Sequence, residues 1–138
     1  MNDALKHGLE VYGQLRGTER MEQMKDLLES DRFDASMTAL SMDFVFGRVW
    51  ARDGLDRRAR SLVTLGILIA LRQCDELQNH VRIALTNGLT PKELEEVIVQ
   101  ATAYAGFPAA RAAGNAVIQV LDTLNGSTNH RGILSEDE

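Results

Sequence analysis

Residues 57–71 read RRARSLVTLGILIAL, and this stretch decides the fold class. From Leu62 to Leu71 every face of a helix would carry apolar side chains, and a helix of that kind must be buried on most of its sides. The stretch therefore predicts the central helix of the domain or of an assembly. Its apolar run of about ten residues is half of the ~20 needed to span a bilayer, so we expect no membrane segment.

Helical spacing of apolar residues recurs on both sides of this stretch, and no long run alternates apolar and polar residues as a strand does. Thr90-Pro91-Lys92-Glu93 is a typical helix start, with a threonine cap, proline at the first helical position and glutamate three residues after the cap. We predict an all-α bundle of six to seven helices, forming a single domain over residues 1–124 before a flexible acidic tail over residues 125–138. The predicted helices span residues 3–15, 18–30, 36–50, 57–71, 74–87, 91–105 and 109–124.

Composition narrows the class of protein. The 138 residues carry a net charge of −5 without a long basic stripe, which argues against nucleic acid as the main partner. A single cysteine, Cys74, excludes an internal disulfide, and three widely separated histidines make a histidine-cluster metal site unexpected. The N-terminus lacks the basic-then-apolar order of a secretory signal, so we expect a soluble cytoplasmic protein with no membrane partner.

Five arginines form the one basic island of this acidic chain. Those in the first turns of the helix beginning near residue 57 lie where the helix dipole disfavours cations, so a neighbouring negative charge should offset them. An anionic ligand would do so, because guanidinium matches carboxylate geometry. Ion pairs with acids on neighbouring helices or subunits would do so equally, and the residues leave both interpretations open. The members are Arg48, Arg52, Arg57, Arg58 and Arg60.

Glu76 and His80 are four residues apart on a predicted helix and therefore neighbours on one face. A half-buried histidine beside a carboxylate suits an acid or base in catalysis, whereas an exposed pair would be an ordinary surface salt bridge. Trp50 and Tyr104 are candidates to line a pocket, or alternatively to lie in a core or an interface. Cys74 is interpreted as a small buried apolar residue.

Four segments, in order along the chain, resemble the carboxymuconolactone decarboxylase family. They are GLDRRARSLVTL over residues 54–65, DELQNHVR over 75–82, NGLTPKE over 87–93 and YAGFPAA over 104–110. The peroxidase branch of this superfamily uses a glutamate and a Cys-x-x-Cys pair before its histidine. Here those positions hold Ser61, Gln73 and Glu76, so the thiol-disulfide cycle is not expected.

The resemblance to the decarboxylase branch implies an alkylhydroperoxidase D-like fold and a cofactor-free reaction without a metal. The expected reaction converts 4-carboxymuconolactone to the β-ketoadipate enol-lactone and CO₂, in bacterial breakdown of protocatechuate. By this resemblance His80, oriented by Glu76, would donate a proton, and Arg57 or Arg58 would hold the anionic substrate or the developing oxyanion. The family further implies a homo-oligomer, commonly trimers pairing into hexamers, with sites near subunit boundaries. An arginine or Trp50 of one chain would then lie beside His80 of another.

The sequence also departs from the decarboxylase pattern. Gln78 and Asn79 precede the histidine where Arg or Lys and then Leu are usual, so Asn79 places a polar group where a leucine would pack. Thr86 stands where the family usually has asparagine. These departures leave two alternatives open, a different small lactone or carboxylate as substrate, and a non-catalytic oligomeric subunit.

Overall fold

A computed structural model describes residues 1–126 of the chain, so the predicted tail over 125–138 lies almost entirely outside the described residues. The predicted all-α fold is confirmed, and no strand occurs among residues 1–126. Within this described part of the chain, seven α-helices and one π-helical segment, called π1 here, follow one another. They are α1 Asp3–Arg16, α2 Thr18–Leu28, α3 Ala35–Leu40, π1 Ser41–Trp50, α4 Arg57–Ala70, α5 Cys74–Thr86, α6 Pro91–Ala105 and α7 Phe107–Asn125.

The chain divides into two compact units, residues 1–57 and the residues from Arg58 onward. In the first unit α1 lies along π1 with backbone nearly touching backbone. A Cβ atom added at Gly8 would lie 1.7 Å from the carbonyl oxygen of Met42, and one added at Gly47 would lie 2.2 Å from that of Ala4. Both positions therefore need glycine for the two elements to approach so closely.

Aromatic side chains fill the interior of the first unit. The rings of Tyr12 and Phe46 meet edge to face with centroids 5.0 Å apart, and Phe46 stacks on Trp50 at 6.5 Å. All three side chains are buried. Of the two alternatives for Trp50, the structure of this unit places its ring in a core.

The prediction of one regular helix over residues 36–50 is wrong in its second half, which is π-helical from Ser41 to Trp50. The buried residues of this segment, Met42, Phe46 and Trp50, recur every four residues. A spacing of four fits the wider π turn as well as the α turn, so periodicity alone does not separate them.

Helices α4 to α7 surround the core of the second unit. Small side chains on α7 let α5 pack closely against it, and Leu89 closes the core after the turn at Gly88, whose φ of +98° favours glycine. The core residues are Leu65 and Ile69 on α4, Leu77, Val81 and Ala84 on α5, Leu89, Leu94 on α6, and Ala113, Ala116, Val117 and Val120 on α7.

The α6 start has the predicted capping box. The Thr90 hydroxyl accepts a hydrogen bond from the Glu93 backbone N–H, and Glu93 Oε1 accepts one from the Thr90 backbone N–H, both at 3.1 Å. Pro91 occupies the first helical position, where its missing N–H costs nothing. The prediction succeeds because every interaction in it is local.

Helix α4 does not have the burial expected of it. Only Ser61, Leu65 and Ile69 are buried, whereas Val63 is 55% and Ile67 53% exposed. The prediction of burial on most sides is therefore wrong for the single chain, because the neighbouring helices cover one face of α4 alone. Within residues 1–126, no helix combines the length and apolar character that crossing a membrane requires.

Candidate functional site

The predicted pair on α5 is brought together. His80 Nε2 lies 3.9 Å from Glu76 Oε1, with the histidine side chain 8% exposed and the glutamate side chain 60% exposed. A buried imidazole thus faces a carboxylate that remains in contact with water. This arrangement differs from an ordinary surface salt bridge, in which both partners are solvated.

The rest of α5 explains why His80 is buried. Leu77, Val81 and Ala84 belong to the core and fix the rotation of the helix about its axis. His80 lies at the edge of this apolar stripe, and Glu76 lies one turn before it. Glu76 also belongs to the first turn of α5, where the helix dipole favours a negative charge.

Two side-chain amides beside this pair point to different partners. Asn79 Nδ2 donates a hydrogen bond to Glu76 Oε1 at 3.1 Å. Gln78 Nε2 donates to Gln119 Oε1 on α7 at 2.8 Å. The Asn79 side chain is half-buried and bonds the carboxylate, so a polar group stands at this position as the sequence indicates. The i, i+3 spacing of Glu76 and Asn79 was the sequence signal for this contact.

The hydrogen bond of Ser61, like that of Asn79, was not predicted from the sequence. The Ser61 side chain is fully buried in α4, and its hydroxyl accepts a hydrogen bond of 2.9 Å from Asn87 Nδ2 at the end of α5. Removing one partner would leave a buried polar group unsatisfied, at a cost of roughly 1–3 kcal/mol. The bond therefore ties the start of α4 to the end of the helix that carries His80.

Arg58 forms an ion pair with Glu93, linking the first turn of α4 to the first turn of α6. The Glu93 pKa is held below its usual value, first by the hydrogen bond from the Thr90 backbone N–H and then by Arg58. Both side chains are roughly half exposed. The negative charge of Glu93 offsets the positive charge of Arg58, as the ion-pairing interpretation of the arginine island predicts. The role of Arg58 as a substrate anchor stays a prediction.

The other arginines of the island lie in different settings. Arg48 donates to Asp43 at 2.7 Å within π1, and this hydrogen bond, with a second from Asn2, lowers the Asp43 pKa. Arg57 is the first residue of α4 and is half-buried. Arg48 is thus paired with an acid of its own element rather than of a neighbouring helix, and the substrate-binding role of Arg57 stays a prediction.

Tyr104 lies near the end of α6 with 87% of its surface exposed. Within the single chain it therefore belongs to no core, and its predicted binding role stays a prediction. Cys74 starts α5 as a free, half-buried thiol, consistent with a packing residue. Among residues 1–126, no three histidine, cysteine, aspartate or glutamate side chains gather in a way that would hold a metal ion.

A largely apolar groove of about 470 Å³ lies between α6 and α7. Its charged rim holds Lys92, which pairs with Glu95 at 2.5 Å, and Arg111. None of the predicted site residues lines it. The lining residues are Pro91, Lys92, Glu95, Ile98, Val99, Thr102, Phe107, Ala110, Arg111, Gly114, Val117, Ile118 and Leu121.

Comparison with known proteins gives concordant results. The sequence model of the carboxymuconolactone decarboxylase family matches residues 35–119, which include every predicted site residue. The chain is 38% identical over 126 residues to 4-carboxymuconolactone decarboxylase of Acinetobacter baylyi, covering 90% of this chain and 92% of that protein. It is 37% identical over 101 residues to nitrosuccinic acid decarboxylase npaB of Metarhizium robertsii, covering 73% of this chain and 69% of that protein. The chain belongs to the carboxymuconolactone decarboxylase family.

Proposed function

We propose that this protein is a carboxy-lyase that converts 4-carboxymuconolactone to the β-ketoadipate enol-lactone and CO₂ in aromatic catabolism, without a cofactor. The observation that carries the proposal is the 38% identity, over nearly the whole of both chains, to a protein named for this substrate. The buried His80 facing Glu76 supplies the acid–base pair that such a reaction needs.

The chemistry explains what the protein must provide. Breaking the C–C bond to the carboxylate releases CO₂ and leaves an electron pair that flows through the C=C bond onto the lactone carbonyl oxygen. The substrate is thus its own electron sink. The protein must hold an anionic substrate, stabilise the developing oxyanion and return one proton to carbon.

His80 is the proposed proton donor. Its ring is buried, so a charge on it interacts more strongly with neighbouring charges than it would in water. Glu76, 3.9 Å from Nε2, stabilises the imidazolium form before the proton leaves. The proposed anion-binding residues are Arg57 and Arg58, and a substrate carboxylate would compete with Glu93 for Arg58. Tyr104, which is exposed in the single chain, is the proposed pocket-lining residue, whereas Trp50 lies in the core of the first unit.

We further propose that the active form is a homo-oligomer, a trimer or hexamer, with sites near subunit boundaries. Two apolar surfaces of the second unit support this proposal. The outer face of α4 exposes Val63 and Ile67, Leu71 just after the helix is also exposed, and the groove between α6 and α7 is open and largely apolar. Exposed apolar surfaces of this kind are typical of association sites.

A second candidate function is decarboxylation of a different small acid. The 37% identity to a nitrosuccinic acid decarboxylase favours it. A nitro group accepts the electron pair left by CO₂ as a lactone carbonyl does, so the same proton donor and cationic anchors would serve both reactions.

The test is turnover of freshly prepared 4-carboxymuconolactone, followed by loss of its ultraviolet absorbance together with CO₂ release, with nitrosuccinate assayed in parallel. We expect lactone turnover that falls by roughly 10²- to 10⁴-fold in His80→Ala, the range that general acid–base catalysis supplies. Turnover of nitrosuccinate alone would favour the second candidate. Folded protein that turns over neither acid would contradict both of these reactions, and would favour a different small lactone or carboxylate first and a non-catalytic subunit second.

A further inference from the structure

Asn79 and His80 approach the same oxygen of Glu76. Asn79 Nδ2 donates to Oε1 at 3.1 Å, and His80 Nε2 lies 3.9 Å from that atom. The first distance is that of a hydrogen bond, and the second lies beyond hydrogen-bonding range. Asn79 therefore holds the oxygen that a histidine one turn along the helix would otherwise be placed to bind.

Because Glu76 is exposed, the hydrogen bond from Asn79 affects which rotamer its side chain adopts. A carboxylate that is 60% exposed has several rotamers open to it. Residues three and four positions along a helix are both neighbours of the first residue, so Asn79 and His80 compete for one carboxylate. The hydrogen bond to Asn79 selects a rotamer in which the negative charge stays near the ring without bonding Nε2.

We propose that Asn79 is a positioning residue that keeps the Glu76 carboxylate beside His80 but short of a hydrogen bond to Nε2. The proposal rests on the proposed function, in which the ring must both gain and release a proton. A nearby carboxylate stabilises the imidazolium, whereas a direct hydrogen bond would retain the proton that the substrate carbon has to receive. Asn79 sets the balance between these two effects.

Activity gives the first test. Asn79→Leu replaces the amide with an apolar side chain of similar size, and Asn79→Ala removes it. We expect either variant to lower kcat roughly fivefold with little change in KM, and to have no further effect once Glu76→Ala is present. Equal effects of the Asn79 substitutions with and without Glu76 would overturn the proposal, because Asn79 would then act independently of the carboxylate.

Imidazole nitrogen chemical shifts give a second test that needs no substrate. At a pH where these shifts report a neutral His80 ring, we expect Asn79→Leu to raise the population of the Nε2–H tautomer, since the released carboxylate accepts that proton. The increase should be absent in Asn79→Leu/Glu76→Ala. The matched control is Gln78→Ala, which removes the neighbouring amide that bonds α7 and should leave the tautomer ratio unchanged.

The two readouts separate the two proposals. Absence of turnover together with the expected tautomer change would overturn the proposed function and retain the positioning role of Asn79. An unchanged tautomer ratio in Asn79→Leu, or an equal change in Gln78→Ala, would overturn the positioning role whatever the activity.

Discussion

At the scale of single residues, Arg58 has two predicted roles, a structural ion pair and a substrate anchor. Its ion pair with Glu93 accounts for its charge in the single chain, and substrate anchoring would require that charge for a second purpose. The two roles predict different kinetics. If Arg58 holds a substrate carboxylate, Arg58→Gln raises KM by roughly tenfold or more, because a charge-assisted hydrogen bond contributes about 1.5–3 kcal/mol.

Glu93→Gln is the matched control for this prediction, since it removes the same ion pair and leaves the arginine charge in place. We expect its KM to be equal to or lower than that of the unmodified protein, because a substrate carboxylate no longer competes with Glu93 for Arg58. Steady-state kinetics on the accepted substrate checks both variants. An equal change of KM in Arg58→Gln and Glu93→Gln would show that Arg58 is a structural ion-pair residue.

Residue-scale prediction from the sequence succeeded where a contact follows from helix spacing. Glu76 and His80 meet as the i, i+4 rule requires, and Asn79 reaches Glu76 as the i, i+3 rule allows. The partner of Arg58 was predictable only as a class, an acid on a neighbouring helix. Its identity depends on how α4 and α6 pack, and no local rule supplies that.

At the scale of the elements, the start of α6 makes stability depend on pH. The Thr90 backbone N–H and Arg58 both favour the ionised form of Glu93, so its pKa is lower in the folded state than in the unfolded state. The stabilisation is therefore complete above the unfolded pKa, near 4.5, and is lost as the pH falls through the lower folded value.

We accordingly expect the melting temperature of Glu93→Gln to lie below that of the unmodified protein at neutral pH. The difference should shrink as the pH falls below about 4.5. Thermal unfolding at a series of pH values measures it, with Glu22→Gln on α2 as a control at an exposed carboxylate. A difference that is constant across the series would mean that ionisation of Glu93 does not contribute.

The contact between α1 and π1 gives a second prediction at this scale. A Cβ at position 8 would overlap the Met42 carbonyl oxygen, and backbone cannot move aside as a flexible side chain does. Gly8→Ala should destabilise the protein by about 1–3 kcal/mol or more. Gly13→Ala is the control on the same helix, because its Cβ would lie 3.3 Å from Met21 Cβ and Cγ, a much milder contact than the overlap at Gly8. Urea unfolding of both variants checks this, and equal stability of the two would contradict the close approach of α1 to π1.

Elements fixed by local interactions were predictable from the sequence, and features that depend on distant residues or on the type of helix were not. The α6 start was predictable because its cap is made by residues 90–93 alone. The π1 geometry was not, since spacing of buried residues every four positions is common to both helix types. The need for glycine at Gly8 was also hidden, because it arises from a backbone more than thirty residues away.

At the scale of the whole molecule, a single chain does not bury the apolar surface of α4 completely. The α4 sequence is apolar nearly all round, yet the folded chain covers one face and exposes Leu62, Val63 and Ile67, together with Leu71 just after the helix. From the sequence, α4 was predicted to be the central helix either of the domain or of an assembly. Exposure of the outer face in the single chain removes the first possibility and supports the second.

The final prediction follows from that choice. Ile67 is 53% exposed in the single chain, so Ile67→Glu should leave the fold of each chain intact and place a charge on the outer face of α4. If a second copy covers this face, burying an unpaired carboxylate there costs several kcal/mol, and the assembly should dissociate. Light scattering at micromolar concentration should then give a lower mass for Ile67→Glu than for the unmodified protein. Phe33→Glu, which adds the same charge at a fully exposed aromatic side chain in the first unit, should keep the mass unchanged. Equal oligomeric masses for all three would contradict assembly through α4. A monomeric unmodified protein would also contradict the proposal that sites lie near subunit boundaries.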